Sequence, residues 1–158
     1  MTANDFKHTM KALNDFGNFI ITMYKSQLEA EQMNNGELYR TISYSVSTGT
    51  GGWVISVSLA DYWKYVEYGR RPGKMPPVSA IENWIKVKHI IPHSMQLKSG
   101  KTVIPTIPQL SFLIARKIGR DGIQPRPLFK KSFEVAKKQF IQVIEDAITQ
   151  DIKENLVN

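Results

Sequence analysis

The sequence contains no cysteine, so neither disulfide bonds nor thiolate metal sites are available to it. It also lacks an apolar run close to the roughly 20 residues that span a bilayer, and lacks a signal-peptide core at its N-terminus. We therefore expect a soluble protein that is made and used without export and without membrane contact. Its 158 residues, 42% hydrophobic and 22% charged, argue against wholesale disorder and suit one domain, residues 1–158.

Residue groups that carry catalysis are also scarce. His89 and His93 have the spacing of helical metal ligands, but Pro92 between them makes that helix improbable. The glycine-rich stretch 48–52 is not followed by the Lys-Ser or Lys-Thr pair of a phosphate-binding loop. We predict no catalytic residue, no metal, no cofactor and no enzyme activity. A small nuclease would need clustered acids, and residues 61–131 hold only four.

Positive charge is concentrated in the middle of the chain. The net charge of +7 divides into −1 for residues 1–60, +10 for 61–131 and −2 for 132–158. A basic region of this kind indicates either nucleic acid or an acidic protein partner. A solvated surface is the simpler alternative.

The stretch 61–77 is the most distinctive part of the sequence. Four aromatic residues, Tyr62, Trp63, Tyr65 and Tyr68, fall within seven positions and are followed by Gly69 and two arginines. Three prolines between positions 72 and 77 exclude regular structure there. Rigid loops of aromatic residues and arginine are common at recognition surfaces, because little entropy is lost on contact. The alternative is that the aromatic residues are core and the arginines are solvated.

Apolar periodicity predicts four long helices and one short one. The long helices cover about 4–33, with Asn4 as N-cap and the end at Asn34-Asn35-Gly36, then 78–88, 109–120, and 127 or 128 to about 156. The last helix should pair with the first or lie across the sheet. The short helix covers the aromatic residues 62–68. In the helix at 109–120 we expect an apolar face and a basic face; the apolar face comprises Leu110, Leu113, Ile114 and Ile118, and the basic face Arg116, Lys117 and Arg120.

Alternation of apolar and polar residues predicts two strands, 38–47 and 53–59, joined by a hairpin loop at 48–52. A second, small hairpin is expected around Lys98–Lys101, within a basic extended insertion at 89–107. The predicted fold class is α+β: a small antiparallel β-sheet packed by a long N-terminal helix, two middle helices and a C-terminal helix.

Glu67 is the acid most open to a special role. It lies among aromatic residues and three positions before Arg70. Burial would raise its pKa and a guanidinium would lower it. We favour a structural ion pair over catalysis.

Two short motifs resemble a known family. The first motif consists of Tyr62 and Tyr65-Val66-Glu67-Tyr68-Gly69, and the second is the segment Gln124–Phe129, which reads Gln-Pro-Arg-Pro-Leu-Phe. Both are similar to motifs of the head–tail connector and tail-completion (neck) proteins of tailed bacteriophages. The order of helix, hairpin, motif, helix, motif and helix also matches that family. The departures are the long first helix and the insert that carries Trp84 and the Lys98–Lys101 hairpin.

The resemblance implies a structural virion protein without enzyme activity. It implies a homo-oligomeric ring, of six or twelve copies, that joins portal and head to tail. The implied partners are portal or adaptor proteins and tail-tube or terminator proteins, with DNA passing through the lumen; the implied location is the virion neck or tail, after assembly in the host cytoplasm.

Residues predicted to form subunit or partner interfaces come from the two motifs and the basic loops. They are Tyr62, Trp63, Tyr65, Glu67, Tyr68, Arg70, Arg71, Lys74, Lys98, Lys101, Pro125, Arg126 and Pro127. The competing hypothesis is a basic nucleic-acid-binding protein that acts through residues 61–131, with stacking on its interleaved aromatic residues.

Overall fold

A computed structural model describes residues 6–34, 36–49 and 51–157, without the side chain of residue 157. Within these residues the chain has the predicted α+β fold, and it divides into two compact units. The first unit consists of residues 1–67 and 127–158, and the second unit of residues 68–126. A single domain stays a prediction, because two compact units can belong to one folding domain. The second unit is longer than the predicted insertion at 89–107.

The first unit is built on two long helices, α1 (Lys7–Ala30) and α6 (Leu128–Val157), which pack against each other. Their aromatic stripes meet where the Phe140 ring lies 5.8 Å from Phe16 and 5.3 Å from Phe19. The first pair is edge-on and the second tilted, and aromatic contacts of this kind stabilise the fold beyond apolar burial alone. The predicted pairing of the last helix with the first is confirmed. The predicted N-cap Asn4 lies outside the described residues, as do Asn35 and Thr50 of the predicted turns.

A short helix, α2 (Glu37–Thr41), replaces the first half of the predicted strand 38–47. The strand prediction is wrong there, because Leu38 and Ile42 are four residues apart and both are buried against Tyr24 and Leu28 of α1. A spacing of four satisfies a helical turn as well as strand alternation. With Leu128 of α6, these residues form the centre of the apolar core of the first unit.

Strands β1 (Ser43–Gly49) and β2 (Gly52–Ser58) form an antiparallel hairpin, and α3 (Trp63–Glu67) follows as the predicted short helix. Pairing continues to Gly49 and Gly52, so the turn is shorter than predicted. One face pairs half-buried residues, such as Val46 with Ile55, and the other pairs exposed serines, such as Ser45 with Ser56. The half-buried face packs on α1, where Gly17 lacks the Cβ that would clash with the Tyr44 ring.

The second unit contains two helices, α4 (Val78–Val87) and α5 (Ile107–Asp121), which pack together. Between them lies the predicted small hairpin, made of β3 (Met95–Gln96) and β4 (Thr102–Val103). α5 begins at Ile107, two residues before the predicted position, with Thr106 as its N-cap. The Thr106 hydroxyl accepts from the Gln109 N–H, and the Gln109 side chain accepts from the Thr106 N–H.

The buried faces of α4 and α5 differ from the predicted ones. In α4, the spacing predicts one face of Ile81, Trp84, Ile85 and Lys88. Of these, Ile85 is buried but Trp84 is 45% exposed. In α5 the buried residues are small: Ser111, Ala115 and Gly119. The predicted apolar face of α5 is therefore only partly right: Leu110, Ile114 and Ile118 are half-buried beside these small residues, but Leu113 is 36% exposed. The predicted basic residues of α5 are all exposed.

Candidate functional site

The two motifs that carry the family resemblance are joined by hydrogen bonds. In the first unit, the Glu67 carboxylate accepts from the backbone N–H groups of Phe129 and Lys130, both at 2.9 Å. These N–H groups belong to the first turn of α6, where helical backbone has no internal partner and a partial positive charge accumulates. Glu67 is only 3% exposed. It therefore serves as a cap for a helix that begins about sixty residues later.

This arrangement corrects the predicted ion pair between Glu67 and Arg70. The Arg70 guanidinium donates instead to the backbone carbonyl of Lys74, with Nη2 and O separated by 2.8 Å. The contact of Glu67 with a partner stays a prediction; within the folded chain its buried carboxylate contacts the N-terminus of α6. A cap contributed from outside the helix leaves no spacing signature in the sequence.

In the second unit, the residue after the first motif and the residue before the second run side by side as backbone. Arg70 and Ile123 exchange two N–H···O=C bonds of 2.8 Å, which form an antiparallel bridge. Gly69 has φ of +67°, and a Cβ there would lie 2.7 Å from the backbone nitrogen of Pro125 and would clash with the carbonyl oxygen of Ile123. Gly122 has φ of +74°, and a Cβ there would clash with the carbonyl oxygen of Arg70. Only glycine allows this close approach at both positions.

The predicted aromatic interface residues fall into two groups. Tyr62 and Trp63 pack against the core of the first unit; the Tyr62 hydroxyl accepts from the Leu38 N–H at 2.8 Å, and the Trp63 ring lies 6.2 Å from Phe129. Tyr65 and Tyr68, in contrast, are 53% and 70% exposed. The simpler interpretation of the aromatic residues as core therefore holds for the first pair, and the second pair presents aromatic surface.

The predicted basic and proline residues lie largely at the surface. Arg70 is half-buried, and Pro127 is half-buried at the start of α6. The others are exposed: Arg71, Lys74, Lys98, Lys101, Pro125 and Arg126. The structure thus brings Arg70 next to Ile123, while Lys98 and Lys101 belong to the separate β3–β4 hairpin.

A second buried carboxylate was not anticipated from the sequence. Asp151 of α6 is 1% exposed and accepts from the backbone N–H groups of His8 and Thr9 at the start of α1, at 3.1 and 2.7 Å. Burial alone would raise the pKa of this carboxyl, but the hydrogen bonds from Thr9 and His8 outweigh it and hold the pKa below its ordinary value. Asp151 thus ties the end of α6 to the beginning of α1.

His8, Asp151 and Glu154 have ligand atoms within 4.8 Å of one another, which is a spacing that a metal ion could bridge. Their partners argue otherwise. Both Asp151 oxygens are held by the N-terminus of α1, whose partial positive charge repels cations, and Lys7 Nζ lies 3.0 Å from Glu154. We interpret the cluster as a set of hydrogen bonds and ion pairs that holds the start of α1 against the end of α6.

An apolar groove of about 320 Å³ opens in the first unit. It is lined by residues of α1, β2, α3 and α6 and the segment after β2: Phe16, Ile20, Ile55, Val57, Leu59, Trp63, Phe129 and Phe133. None of these side chains can ionise or attack a substrate, so the groove offers packing surface but no chemistry.

Comparison of the chain with protein-family models, with curated proteins and with solved structures finds no match. Among the described residues, no helix combines the length and the apolar character needed to cross a bilayer.

Proposed function

We propose that this chain is a structural, non-enzymatic subunit of the neck of a tailed-phage virion, of the head–tail connector or tail-completion type. It assembles with copies of itself into a ring, of six or twelve subunits, between portal or adaptor proteins and tail-tube or terminator proteins. Assembly takes place in the host cytoplasm, and DNA passes through the lumen of the finished ring.

One observation carries the proposal: hydrogen bonds connect the regions of the two motifs that resemble the family. Glu67 of the first motif caps the helix that the second motif opens, and Arg70, directly after the first motif, forms a backbone bridge with Ile123, directly before the second. Two short matches that are far apart in sequence could arise by chance. Matches that also depend on each other structurally are harder to explain in that way.

The same arrangement supports a role in docking. Backbone bridges and glycine contacts fix Gly69 to Pro72 against Gly122 and Ile123, so this loop loses little entropy when it meets a partner. Arg71 is exposed on this loop, and Tyr68 is exposed directly before it. Exposed arginine and tyrosine on a rigid support are the residues most enriched at interaction hot spots.

The test is particle mass in solution, measured for the chain alone and with candidate portal, adaptor or terminator proteins. We expect rings of defined copy number, lost when Arg70, Arg71 and Arg126 are all changed to Glu. The matched control changes three exposed α6 lysines, Lys131, Lys137 and Lys138, to Glu and should leave the rings intact. A monomer under every condition, or rings that survive the arginine reversal, would count against the proposal.

A further inference from the structure

The second unit brings a basic loop directly onto a basic helix. The Gly73 N–H donates to the carbonyl oxygen of Gly119 in α5 at 2.7 Å, and a Cβ at Gly119 would lie 3.0 Å from the Met75 Cα. The small buried residues of α5 make this approach possible, since a larger side chain at Gly119 would push the loop away. Residues 70–75 and the last turns of α5 are therefore one continuous surface.

That surface is strongly positive. The loop contributes Arg70, Arg71 and Lys74, and the outer side of α5 contributes Arg116, Lys117 and Arg120. We call these six residues the basic surface. Its one carboxylate is Asp121, which lies 3.0 Å from Lys117 and 2.6 Å from Arg120. Six cations and one carboxylate leave five positive charges.

The rest of the second unit does not balance this charge. Residues 68–126, all of which the structure describes, contain eleven Lys and Arg and only two acids, a net charge of +9. The second acid, Glu82, is held by Lys86 at 2.7 Å on α4. Mutual repulsion among the remaining cations costs free energy, which an external polyanion would remove.

We propose that the basic surface binds the phosphate backbone of nucleic acid, largely without regard to base sequence. Lysine and arginine contact phosphates and release condensed counterions, and duplex DNA presents about one negative charge per 1.7 Å of its axis. Phe112 is 47% exposed one helical turn before Arg116, and its ring offers a stacking face to unpaired bases.

The part of this surface formed by Arg116, Lys117 and Arg120 lies outside the proposed ring contacts, and a second copy of this chain is a poor partner for it. The first unit of that second copy carries a net charge of only −2, counted over residues 1–67 and 127–158. Two of its carboxylates, Glu67 and Asp151, are buried as helix caps, and Asp15 is held by Lys11 at 2.6 Å. The inference goes beyond the proposed ring and does not depend on it, because a chain that never forms a ring can still bind nucleic acid in this way.

The test is fluorescence anisotropy with a labelled 30-base-pair duplex, a second duplex of unrelated sequence and a 30-nucleotide single strand, each titrated from low to moderate salt. If five phosphates are contacted, the slope of log affinity against log salt should be about −4.5 for the duplexes. The variant with Lys74, Arg116 and Lys117 changed to Ala should lose roughly 3 of that slope and on the order of 100-fold in affinity at low salt. Lys131, Lys137 and Lys138 changed to Ala form the matched control, with the same loss of net charge on α6, and should change neither value by much.

Three results would overturn the proposal. The first is no binding to any of the three nucleic acids at low salt. The second is an equal loss in the α6 control, which would assign the binding to net charge and not to this surface. The third is self-association that the surface variant abolishes while nucleic-acid binding is unchanged, which would assign the surface to a second copy. None of these readouts requires ring formation, so the outcome is separable from that of the mass measurements.

Discussion

The two units use charged residues in opposite ways. In the first unit, Glu67 and Asp151 are withdrawn from solvent, and each holds the N-terminus of a long helix. In the second unit, most cations are exposed and only two acids accompany them. Burying a carboxylate costs free energy unless hydrogen bonds to it compensate, and backbone N–H groups at a helix start provide that compensation. Buried charge therefore stabilises the first unit, whereas most charge of the second unit faces solvent.

The units also differ in how they bring backbone segments together. The first unit packs aromatic and aliphatic side chains between helices, whereas the second places backbone against backbone at Gly69, Gly119 and Gly122. The first kind of contact tolerates a change of one methyl group better than the second, because a side chain can rotate away and a carbonyl oxygen in a bridge cannot.

Gly69→Ala should have the largest effect on stability. The new Cβ meets the backbone of Ile123 and Pro125, and the residue must also keep a positive φ, so we expect a loss of about 3 kcal/mol or more. Chemical denaturation measures it. Gly100→Ala is the matched control, since Gly100 has φ of +82° but open space around it, and should cost only about 1 kcal/mol. Equal costs for the two variants would refute the close backbone approach.

Glu67→Ala should come next, with a loss of about 2–3 kcal/mol, because two N–H groups of α6 lose a charged acceptor. Glu67→Gln keeps one acceptor oxygen and should lose less. Glu134→Ala, at an exposed position in the same helix, should change stability by less than about 0.5 kcal/mol. If Glu67→Ala left the free energy of unfolding unchanged, the proposed contrast between buried and exposed charge would be wrong.

The Asp151 cap should make the first unit sensitive to acid. Its pKa in the folded chain lies below the ordinary value of 3.8, so its contribution is fully present above that pH and is lost as the pH falls through the lower folded value. We expect Asp151→Asn to cost about 1–2 kcal/mol at neutral pH, with the difference from the wild type shrinking below pH 3.8. Denaturation curves across this range would show the convergence. A difference that stays constant down to strong acid would mean that the charge of Asp151 does not matter.

The smallest effect on stability is expected for the basic surface. Changing Lys74, Arg116 and Lys117 to Ala should alter the free energy of unfolding by less than about 0.5 kcal/mol, since the three side chains are exposed and only Lys117 has an ion pair. A loss of several kcal/mol would show that these cations support the fold and are not reserved for a partner. Thermal melting of the variant used in the binding experiments provides this measurement.

Periodicity was sufficient for the parts of the fold that depend on local pattern. The long helices, the second strand, the basic face of α5 and both hairpins follow from spacing and turn residues, because the alternation of buried and exposed positions is written along each segment. It failed at Leu38, where one spacing fits both a strand and a helix, and in α5, where the packing face consists of small residues that a search for large apolar ones overlooks.

The candidate site was only partly predictable for a different reason. The aromatic and arginine motifs were visible in the sequence, and Glu67 could be singled out as an acid with an unusual environment. The hydrogen-bond partners of Glu67 and Asp151 could not be predicted, because the N–H groups at a helix start can donate to a carboxylate from any distance along the chain. The contact of residues 70–75 with α5 has no sequence signal beyond Gly119 and Gly122, whose role depends on which backbone comes close.

The chain passes between the units at residues 67–68 and again at 126–127, and both passages lie inside the motifs. On one side, the Arg70–Ile123 bridge holds the ends of the segment 68–126 close together; on the other, Glu67 holds the start of α6 close to the end of α3. The segment 68–126 therefore leaves and re-enters the first unit at neighbouring points, and a linker of only a few residues could join residue 67 to residue 127. We therefore expect that a short linker in place of this segment would leave the contacts between α1 and α6 in the first unit unchanged.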